Sequence, residues 1–236
     1  MRGGMTHILL TGASRGIGAA IADTLDTAGI RLARHSTAAG IAADFADPAA
    51  PAALWQAALD ALDGRIDVLI NNAGVFEANP IDAADADWVA SWERTMRINL
   101  TAAAELCRLA VRHWQARGTG GRIVNVASRA AYRGDSPAHW HYAASKAGMV
   151  GMTKSIARGY ARDGILAFAI CPGFTMTGMA DDYLASRGGD KLLADIPLGR
   201  VAEPAEVATA ARFLALEAPP SMTGAVIDIN GASYVR

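Results

Sequence analysis

Short apolar runs alternate with segments of helical periodicity along the chain. Six runs have the length and composition of β-strands: His7–Leu10, Ile30–Ala33, Asp67–Ile70, Arg122–Val126, Leu166–Ile170 and Ala225–Ile229. Helical patterns lie at Ile17–Ala28, Ala53–Leu62, Asp87–Asn99, Thr101–Arg117, Tyr142–Arg162 and Pro204–Leu216. Strands that are apolar throughout and separated by helices are typical of a parallel sheet covered on both faces. The pattern therefore predicts an α/β fold with a single doubly wound parallel sheet and helices on both faces.

The composition is that of one folded domain. Hydrophobic residues make up 52% of the 236 residues and charged residues 19%, which is enough apolar material for a substantial core. No repeat or linker divides the chain. Residues 1–236 are therefore expected to form a single domain, with residues 1–5 as a flexible leader.

Charge and hydropathy argue against two classes of partner. The net charge is −1 with acids and bases interspersed, whereas a nucleic-acid-binding surface needs a basic stripe. No apolar run approaches the roughly 18 residues of a membrane span. The first strand begins near Thr6, which leaves no room for a signal peptide, so a cytoplasmic location is expected. Cys107 and Cys171 lie in apolar segments and predict buried structural thiols, with no disulfide and no metal site.

A glycine-rich turn follows the first strand and opens the next helix. It reads Thr11-Gly-Ala-Ser-Arg-Gly-Ile-Gly18. Gly12 permits a tight turn, while Gly16 and Gly18 let the backbone approach a pyrophosphate and let the helix pack on the strand. The helix N-terminus then offers free N–H groups and a positive dipole end to that anion. Glycine also serves in plain structural turns, but the position after the first strand of an α/β chain favours nucleotide binding and a Rossmann-type sheet.

Tyr142 and Lys146 lie four residues apart in a predicted helix, which puts both on one face. A lysine ammonium beside a phenol favours the phenolate and lowers a phenol pKa from its usual value of about 10. Such a phenol is a credible general acid/base. The same spacing also occurs on ordinary exposed helix faces, so the pair gains weight only together with the glycine loop.

The chain resembles the short-chain dehydrogenases/reductases, and within them the 3-oxoacyl-acyl-carrier-protein reductase-like group, over nearly its whole length. The motifs that carry the resemblance occur in the family's order: Thr11–Gly18, Asn71-Asn72-Ala73-Gly74, Asn99, Ser128, Tyr142-x3-Lys146, Pro172-Gly173 and Thr177. The resemblance implies an oxidoreductase that transfers a hydride between a nicotinamide cofactor and a ketone or secondary alcohol.

The resemblance implies four catalytic residues. Tyr142 would pass a proton to the carbonyl oxygen, and Ser128 would hydrogen-bond the same oxygen. Lys146 would bind the nicotinamide ribose and keep the Tyr142 pKa low, and Asn99 would support a water-linked proton path to Lys146. Taken singly, Ser128 is an ordinary serine after an apolar run and Asn99 is a helix cap. The assignment depends on the joint pattern.

The resemblance also implies a row of cofactor contacts. They are Gly12, Ser14, Arg15, Gly16, Ile17, Gly18, Arg34, His35, Asp44, Phe45, Asn72, Ala73, Gly74, Tyr142, Lys146, Pro172, Gly173, Thr175 and Thr177. Residues 72–74 would line the adenosine, Asp44 would meet the adenine amino group, and the turn at 172–177 would hold the carboxamide. Asp44 is equally well explained as a solvated turn residue, and Asn72 as a residue that ends a strand.

The second predicted strand is followed by Arg34-His35-Ser36, without the acid that binds the ribose 2′-hydroxyl in NAD enzymes. Ser36 stands where relatives that use NAD carry aspartate. Arg15 lies in the glycine loop, as in many relatives that use NADP, and a guanidinium suits bidentate phosphate binding. NADP(H) is therefore predicted, with NAD(H) as the alternative, and with Arg15 and either Arg34 or His35 near the 2′-phosphate. The segment at residues 38–41 is shorter than in many relatives.

Two segments are expected to meet the substrate. Tyr132, Trp140 and His141 lie between Ser128 and Tyr142, and they would either wall the pocket or pack against another subunit. An apolar stripe follows the carboxamide turn and would form either a lid with a glycine hinge or a plain core contact. The stripe comprises Met176, Met179, Tyr183 and Leu184, and the hinge comprises Gly188 and Gly189.

The expected substrate is a 3-oxoacyl thioester, free or bound to a carrier protein, or a similar carbonyl. A cyclic alcohol, a sugar or a diol is the alternative within the same reaction class. A nucleotide-sensing protein without turnover is the alternative from a different class. Relatives form tetramers or dimers through the two long helices and the last strand, so a homo-oligomer is expected.

Overall fold

The computed structural model describes residues 5–177 and 193–236. Its seven strands are β1 (Thr6–Leu10), β2 (Ile30–Ser36), β3 (Ile41–Ala42), β4 (Val68–Asn71), β5 (Gly121–Val126), β6 (Ile165–Pro172) and β7 (Val226–Ile229). They form one sheet in the order β3-β2-β1-β4-β5-β6-β7, with every neighbouring pair parallel. The predicted fold class is confirmed.

Helices cover both faces of the sheet. They are α1 (Gly16–Leu25), α2 (Ala50–Ala61), α3 (Asp85–Met96), α4 (Ala102–Arg117), α5 (Ala130–Arg133), α6 (Trp140–Tyr160) and α7 (Pro204–Leu216). One buried apolar cluster lies between the sheet and α2, α4 and α6. A second lies on the opposite face, under α1 and α7. The continuously apolar strands follow from this burial on both faces.

The chain order reverses direction across the sheet beside β1. β1 pairs with β2 on one side and with β4 on the other, so its carboxyl end borders the crevice where ligands bind in such sheets. The glycine loop begins at that end, and Asn72–Gly74 follow the neighbouring end of β4. Two segments distant in sequence therefore meet at one place.

The second strand differs from its prediction. β2 continues three residues beyond Ala33 to Ser36, and it pairs with the unpredicted short strand β3. The polar residues 34–36 interrupt the apolar run by which a buried strand is predicted, yet the backbone pairing continues through them. Gly40 closes the loop between these two parallel strands, since its φ is +68° and a Cβ there would lie 2.2 Å from the Arg34 carbonyl oxygen.

The helix predicted at Asp87–Asn99 also ends differently. α3 stops at Met96, and one π-helical turn, Arg97–Thr101, joins it to α4. π-Helical turns are rare and often occur at functional sites. Asn99 lies in this turn.

The described residues include both cysteines, and their helices and possible metal ligands can also be assessed. Both cysteines are buried and unpaired. None of the helices described is long and apolar enough to cross a membrane. Over residues 5–177 and 193–236, no group of three or more metal-ligating side chains gathers in one place.

Candidate active site

The glycines of the loop pack so closely on their surroundings that a side chain has no room at their positions. Gly12 has a φ of +69°, and a Cβ on it would lie 2.7 Å from the Ala73 Cα. A Cβ on Gly18 would lie 1.8 Å from the Gly12 carbonyl oxygen. Helix α1 starts at Gly16 with no described side chain capping it and no acid in its first turn. Its N–H groups and positive dipole end are therefore available to an anion.

Thr11 and Asn72 tie the glycine loop to the turn after β4. The Thr11 Oγ1 accepts hydrogen bonds from the backbone N–H groups of Asn72 (3.0 Å) and Ala73 (3.1 Å). The Asn72 side-chain amide in turn donates to the carbonyl oxygens of Thr11 (3.1 Å) and Gly12 (2.9 Å). Sequence reasoning gave Thr11 no role of its own, although its place at the head of the glycine motif was a usable signal.

Asn99 connects the same turn to helix α6. Its Oδ1 accepts from the Val75 N–H (2.8 Å), and its Nδ2 donates to the Val75 carbonyl (2.9 Å) and to the Ser145 Oγ (3.3 Å). Asn99 is completely buried. A Cβ on the adjacent Gly74 would lie 3.2 Å from the Asn99 Oδ1 and 3.5 Å from the Lys146 Nζ. The role of Ser145 in this linkage was missed from the sequence.

Ser128, Tyr142 and Lys146 come together at the carboxyl end of β5. Ser128 is buried just after the strand, and its side chain hydrogen-bonds the Tyr142 hydroxyl. Tyr142 and Lys146 lie in the first turns of α6. The Lys146 Nζ donates to the Val126 carbonyl (2.9 Å) and lies 5.8 Å from the centroid of the Tyr142 ring. The predicted catalytic residues therefore share one site with Asn99.

The predicted direction of the Tyr142 pKa is wrong in this structure. Burial raises the pKa of Tyr142 to about 12, and the hydrogen bond from Ser128 offsets only part of that rise. Burial also lowers the pKa of Lys146 to about 8. Removal from water penalises the charged form of each group, and this is the largest cause of both shifts. The phenol is consequently held in its protonated form, as a proton donor.

The residues predicted near a 2′-phosphate lie in different surroundings. Arg15 is exposed immediately before α1. The Arg34 guanidinium pairs with the Asp26 carboxylate at 2.9 Å. His35 is only 2% exposed, and both of its ring nitrogens are hydrogen-bonded inside the protein, to Gly12 and Ala43. Arg15 is thus the residue of the three that the structure leaves open to an incoming group.

The proposed adenine contacts also separate. Asp44 is exposed, and its Oδ1 accepts from the Ala46 N–H at 2.9 Å, which is the geometry of a turn residue. Phe45 is buried, with its ring stacked on His35 at a centroid distance of 4.6 Å. Ser14 is exposed and Ile17 is half-buried in the glycine loop.

The turn after β6 returns to the glycine loop. The Gly173 N–H donates to the Ile229 carbonyl (2.8 Å), which fixes the turn beside β7. Thr175 is buried, and its Oγ1 donates to the Gly173 carbonyl (3.3 Å). Thr177 then reaches the loop, since its Cγ2 lies 2.9 Å from the position of a Cβ on Gly16. The turn that begins at Pro172 and the glycine loop therefore border one crevice.

An aromatic and imidazole cluster stands beside Tyr142. The Phe76 ring stacks on His139 (centroids 4.0 Å apart, planes 5° apart) and meets the Tyr142 ring edge-on at 4.8 Å. Trp140 and His141, predicted either to wall the pocket or to pack against another subunit, extend this cluster towards Trp88 and Trp92. Phe76 and His139 were not singled out from the sequence, because no local pattern indicates that residue 76 lies against helix α6.

Tyr132 and Met176 also belong to the segments that were expected to meet the substrate, and their surroundings differ. Tyr132 lies away from this cluster, stacked on Tyr234 and beside Arg236. Met176 packs against Ile196 and Val201. The remaining residues of the expected stripe and hinge, Met179, Tyr183, Leu184, Gly188 and Gly189, lie outside the described residues.

Known proteins are similar to this chain over nearly its whole length. A family model described as enoyl-(acyl carrier protein) reductase matches residues 31–232. The chain is 33% identical to a 3-oxoacyl-[acyl-carrier-protein] reductase of Vibrio cholerae, over 96% of each chain. It is 36% identical to a D-threitol dehydrogenase of Mycolicibacterium smegmatis, over 97% of this chain and 92% of that protein.

Solved structures are similar over nearly the full length. One is an Agrobacterium tumefaciens protein, assigned provisionally as a 2-deoxy-D-gluconate 3-dehydrogenase, with bound NADP. It is 29% identical, covers 99% of this chain and 98% of its own, and gives a TM-score of 0.87. The matched family model, the relatives and the sheet order point the same way: the chain belongs to the short-chain dehydrogenase/reductase family of oxidoreductases, which act on alcohols and ketones.

Proposed function

We propose that the protein transfers a hydride between NADP(H) and a ketone or secondary alcohol, with Tyr142 as the acid/base. One observation carries the proposal: Ser128, Tyr142 and Lys146 meet at the strand end that borders the glycine-loop crevice. The coenzyme, when bound, supplies the hydride chemistry, while the protein supplies orientation and field.

Two hydroxyl groups serve the reacting oxygen in this mechanism. Tyr142, kept protonated by its raised pKa, donates its proton to the carbonyl oxygen during reduction. Ser128 donates a second hydrogen bond to the same oxygen and stabilises the negative charge that develops there. Positioned proton transfer of this kind contributes about 10²–10⁴-fold in rate.

Lys146 restores the proton to Tyr142, and Asn99 keeps Lys146 in position. The Lys146 ammonium stabilises the phenolate that Tyr142 becomes after donation, because an opposite charge in a buried site is strongly favoured. With a pKa of about 8, Lys146 can also give up and regain a proton near neutral pH. Asn99 holds the turn around Gly74 against α6, so that Lys146 stays beside the site.

A dinucleotide would lie along this crevice. The turn at Gly12–Gly18 and the N-terminus of α1 would take the pyrophosphate. Residues 72–74 would line the adenosine, and residues 172–177 would hold the carboxamide. Arg15 would bind the 2′-phosphate, and Arg34 would join it only after leaving Asp26. The bound NADP of the A. tumefaciens structural relative supports this choice of coenzyme.

The favoured substrate is a 3-oxoacyl thioester or a similar carbonyl, as the name of the V. cholerae relative suggests. A specific observation supports a polyol or sugar derivative as the second candidate. The Phe76–His139 pair beside Tyr142 offers a flat ring face for C–H groups and an imidazole for hydroxyl groups. The D-threitol dehydrogenase of M. smegmatis is a relative with that kind of substrate.

A carbonyl and alcohol panel read at the nicotinamide absorbance tests the function. It would contain 3-oxoacyl thioesters, cyclic ketones, tetritols and aldonates, each with NADPH or NADP⁺ and with NADH or NAD⁺. We expect turnover of one class with the phosphorylated coenzyme and a kcat lower by about 10²–10⁴-fold in Tyr142→Phe. Coenzyme binding without turnover of any compound would favour a nucleotide-sensing protein, and markedly tighter NADH binding would overturn the coenzyme assignment.

A homo-oligomer is proposed with β7 at one contact. This strand forms the edge of the sheet, and the exposed apolar residues Leu198 and Val235 lie along the groove beside it. Helices α4 and α6 would provide a second contact. Light scattering at micromolar concentration should give a dimer or tetramer mass, and a monomer mass would contradict the proposal.

A further inference from the structure

His35 lies at the end of β2, directly under the glycine loop. Its Nδ1 is 3.3 Å from the Gly12 backbone nitrogen, and its Nε2 is 3.0 Å from the Ala43 carbonyl oxygen. Its backbone carbonyl also accepts from the Ala13 N–H at 2.8 Å. The ring stacks on the buried Phe45 and is 2% exposed in total. The side chain is therefore fixed on every side.

These partners permit only one form of the ring. The Gly12 N–H is a donor, so the Nδ1 must carry a lone pair, and the Ala43 carbonyl is an acceptor, so the Nε2 must carry the hydrogen. The neutral Nε2–H tautomer satisfies both contacts. A second proton on the Nδ1 would face the Gly12 N–H and remove the bond between them.

Gly12 is the residue on which this bond acts. Its φ of +69° lies in the left-handed region, and its two polar backbone groups are held from opposite sides. His35 accepts from its N–H, and the Asn72 side chain donates to its carbonyl. Loss of either contact leaves a tight turn free to adopt other conformations, and a pyrophosphate site of backbone N–H groups depends on that turn.

We propose that His35 is a positioning residue for the coenzyme: its neutral ring holds the Gly12 turn in the shape that binds the pyrophosphate, and protonation of the ring releases the turn and weakens NADP(H) binding. This inference rests on the proposed NADP(H) function and differs from the sequence-based prediction, in which His35 met the 2′-phosphate.

The charged groups around His35 lie outside its pocket. They are Arg15 in the glycine loop, Arg34 next to it in β2, and Asp44 in the turn after Ala43, and each is exposed or half-buried. Arg34 is already paired with Asp26. Burial lowers the pKa of His35 below the usual value of about 6.5, and the hydrogen bond to Ala43 offsets this in part. The ring is therefore neutral at neutral pH and gains its proton in acid.

Calorimetric titration with NADP⁺ at about pH 8 and pH 5.5 tests the proposal. His35→Asn keeps an acceptor near the Gly12 N–H but does not titrate. The 2′-phosphate of NADP⁺ titrates equally in all variants, so the informative quantity is the ratio of the two dissociation constants. We expect this ratio to be a few-fold larger in the wild type than in His35→Asn, and less than about tenfold, because a pKa below 6.5 leaves the ring only partly protonated at pH 5.5.

Two further variants test the same hydrogen bond and provide a control. His35→Phe keeps the ring on Phe45 and leaves the Gly12 N–H without an acceptor, so it should bind NADP⁺ about tenfold more weakly than the wild type even at pH 8. His7→Asn is the matched control, because His7 is also buried but lies at the amino end of β1, bonded to Asp67. Its ratio should equal that of the wild type.

A readout without coenzyme accompanies the titration. The ¹⁵N resonances of the His35 ring, assigned by comparison with His35→Asn, should show a bare Nδ1 and a protonated Nε2 at pH 8. The opposite tautomer, or equal ratios in wild type and His35→Asn, would overturn the inference while leaving the coenzyme assignment intact. A wild type that binds no NADP⁺ at pH 8 would overturn the proposed function and this inference together.

Discussion

The two ends of the candidate site are shaped by different parts of the chain, one by backbone and the other by side chains. The coenzyme end, from β1 through the glycine loop to Asn72, is shaped by backbone, and at Gly12 and Gly18 even a Cβ would collide with its neighbours. The catalytic end, between β5 and α6, is shaped by side chains whose ionisation is displaced by burial. The first end depends on steric fit and the second on chemistry.

Because of this difference, coenzyme binding and turnover should be lost through different kinds of substitution. A pyrophosphate is bound by backbone N–H groups that any residue carries, so the sequence requirement there is the lack of a side chain. In the proposed mechanism a proton is moved by one specific hydroxyl, so the requirement at Tyr142 is a functional group. Substitutions at the two ends should therefore separate coenzyme affinity from rate.

Tyr142→Phe should give the largest effect and confine it to the catalytic end. The ring and its contact with Phe76 remain, but the proton donor is lost, so kcat should fall by about 10²–10⁴-fold. The dissociation constant for NADP⁺ should stay within about twofold of the wild type. Steady-state kinetics and calorimetry measure the two quantities.

The matched control for this variant is Tyr160→Phe, at the far end of the same helix. It should retain wild-type kcat. Wild-type turnover in Tyr142→Phe would show that the Tyr142 hydroxyl is not the proton donor.

Gly18→Ala should affect the coenzyme end of the site. Its new methyl group would lie 1.8 Å from the Gly12 carbonyl oxygen, so the loop must shift. We expect a loss of about 1–3 kcal/mol in the free energy of unfolding and about ten- to a hundredfold weaker NADP⁺ binding. Urea denaturation and calorimetry measure both.

Gly159→Ala provides the contrast within helix α6, since no atom lies within 4 Å of a Cβ there. It should raise the free energy of unfolding by about 0.5–1 kcal/mol, because alanine loses less backbone entropy than glycine. Equal behaviour of the two alanine variants would show that the coenzyme end tolerates side chains after all.

The smallest expected effect is a pH slope that comes from Lys146. The lysine pKa is about 8 in the folded protein and 10.5 when unperturbed, so between these values the unfolded chain binds more protons than the folded one. The free energy of unfolding should therefore rise with pH in this window, relative to Lys146→Met, by about 1–2 kcal/mol from pH 7.5 to 9.5.

Urea denaturation across that range measures the slope. Tyr142 acts oppositely only above about pH 10, where the unfolded phenol loses its proton first. Lys154→Met, at an exposed position on the same helix, should keep the wild-type slope. If the difference in the free energy of unfolding between wild type and Lys146→Met did not change with pH, burial would not set the ionisation of Lys146.

Local sequence patterns were sufficient for most of the architecture. The six predicted strands all exist, and helix α7 has the predicted bounds, because apolar runs and helical periodicity follow directly from which faces are buried. The two-residue strand β3 was beyond this signal, since a strand so short has no periodicity of its own. It exists because Gly40 lets the chain turn back on Arg34.

The sheet and the glycine loop follow from the sequence alone, because both are encoded in neighbouring residues, while the catalytic residues are predicted from a resemblance that extends over the whole chain. The tertiary structure was needed to show that the Tyr142 pKa is raised, that the His35 ring bonds the Gly12 N–H, and that Phe76 lies beside Tyr142. Ionisation and contact depend on how far water is excluded and on which distant segments meet. Both are properties of the assembled fold, and no local pattern of residues carries them.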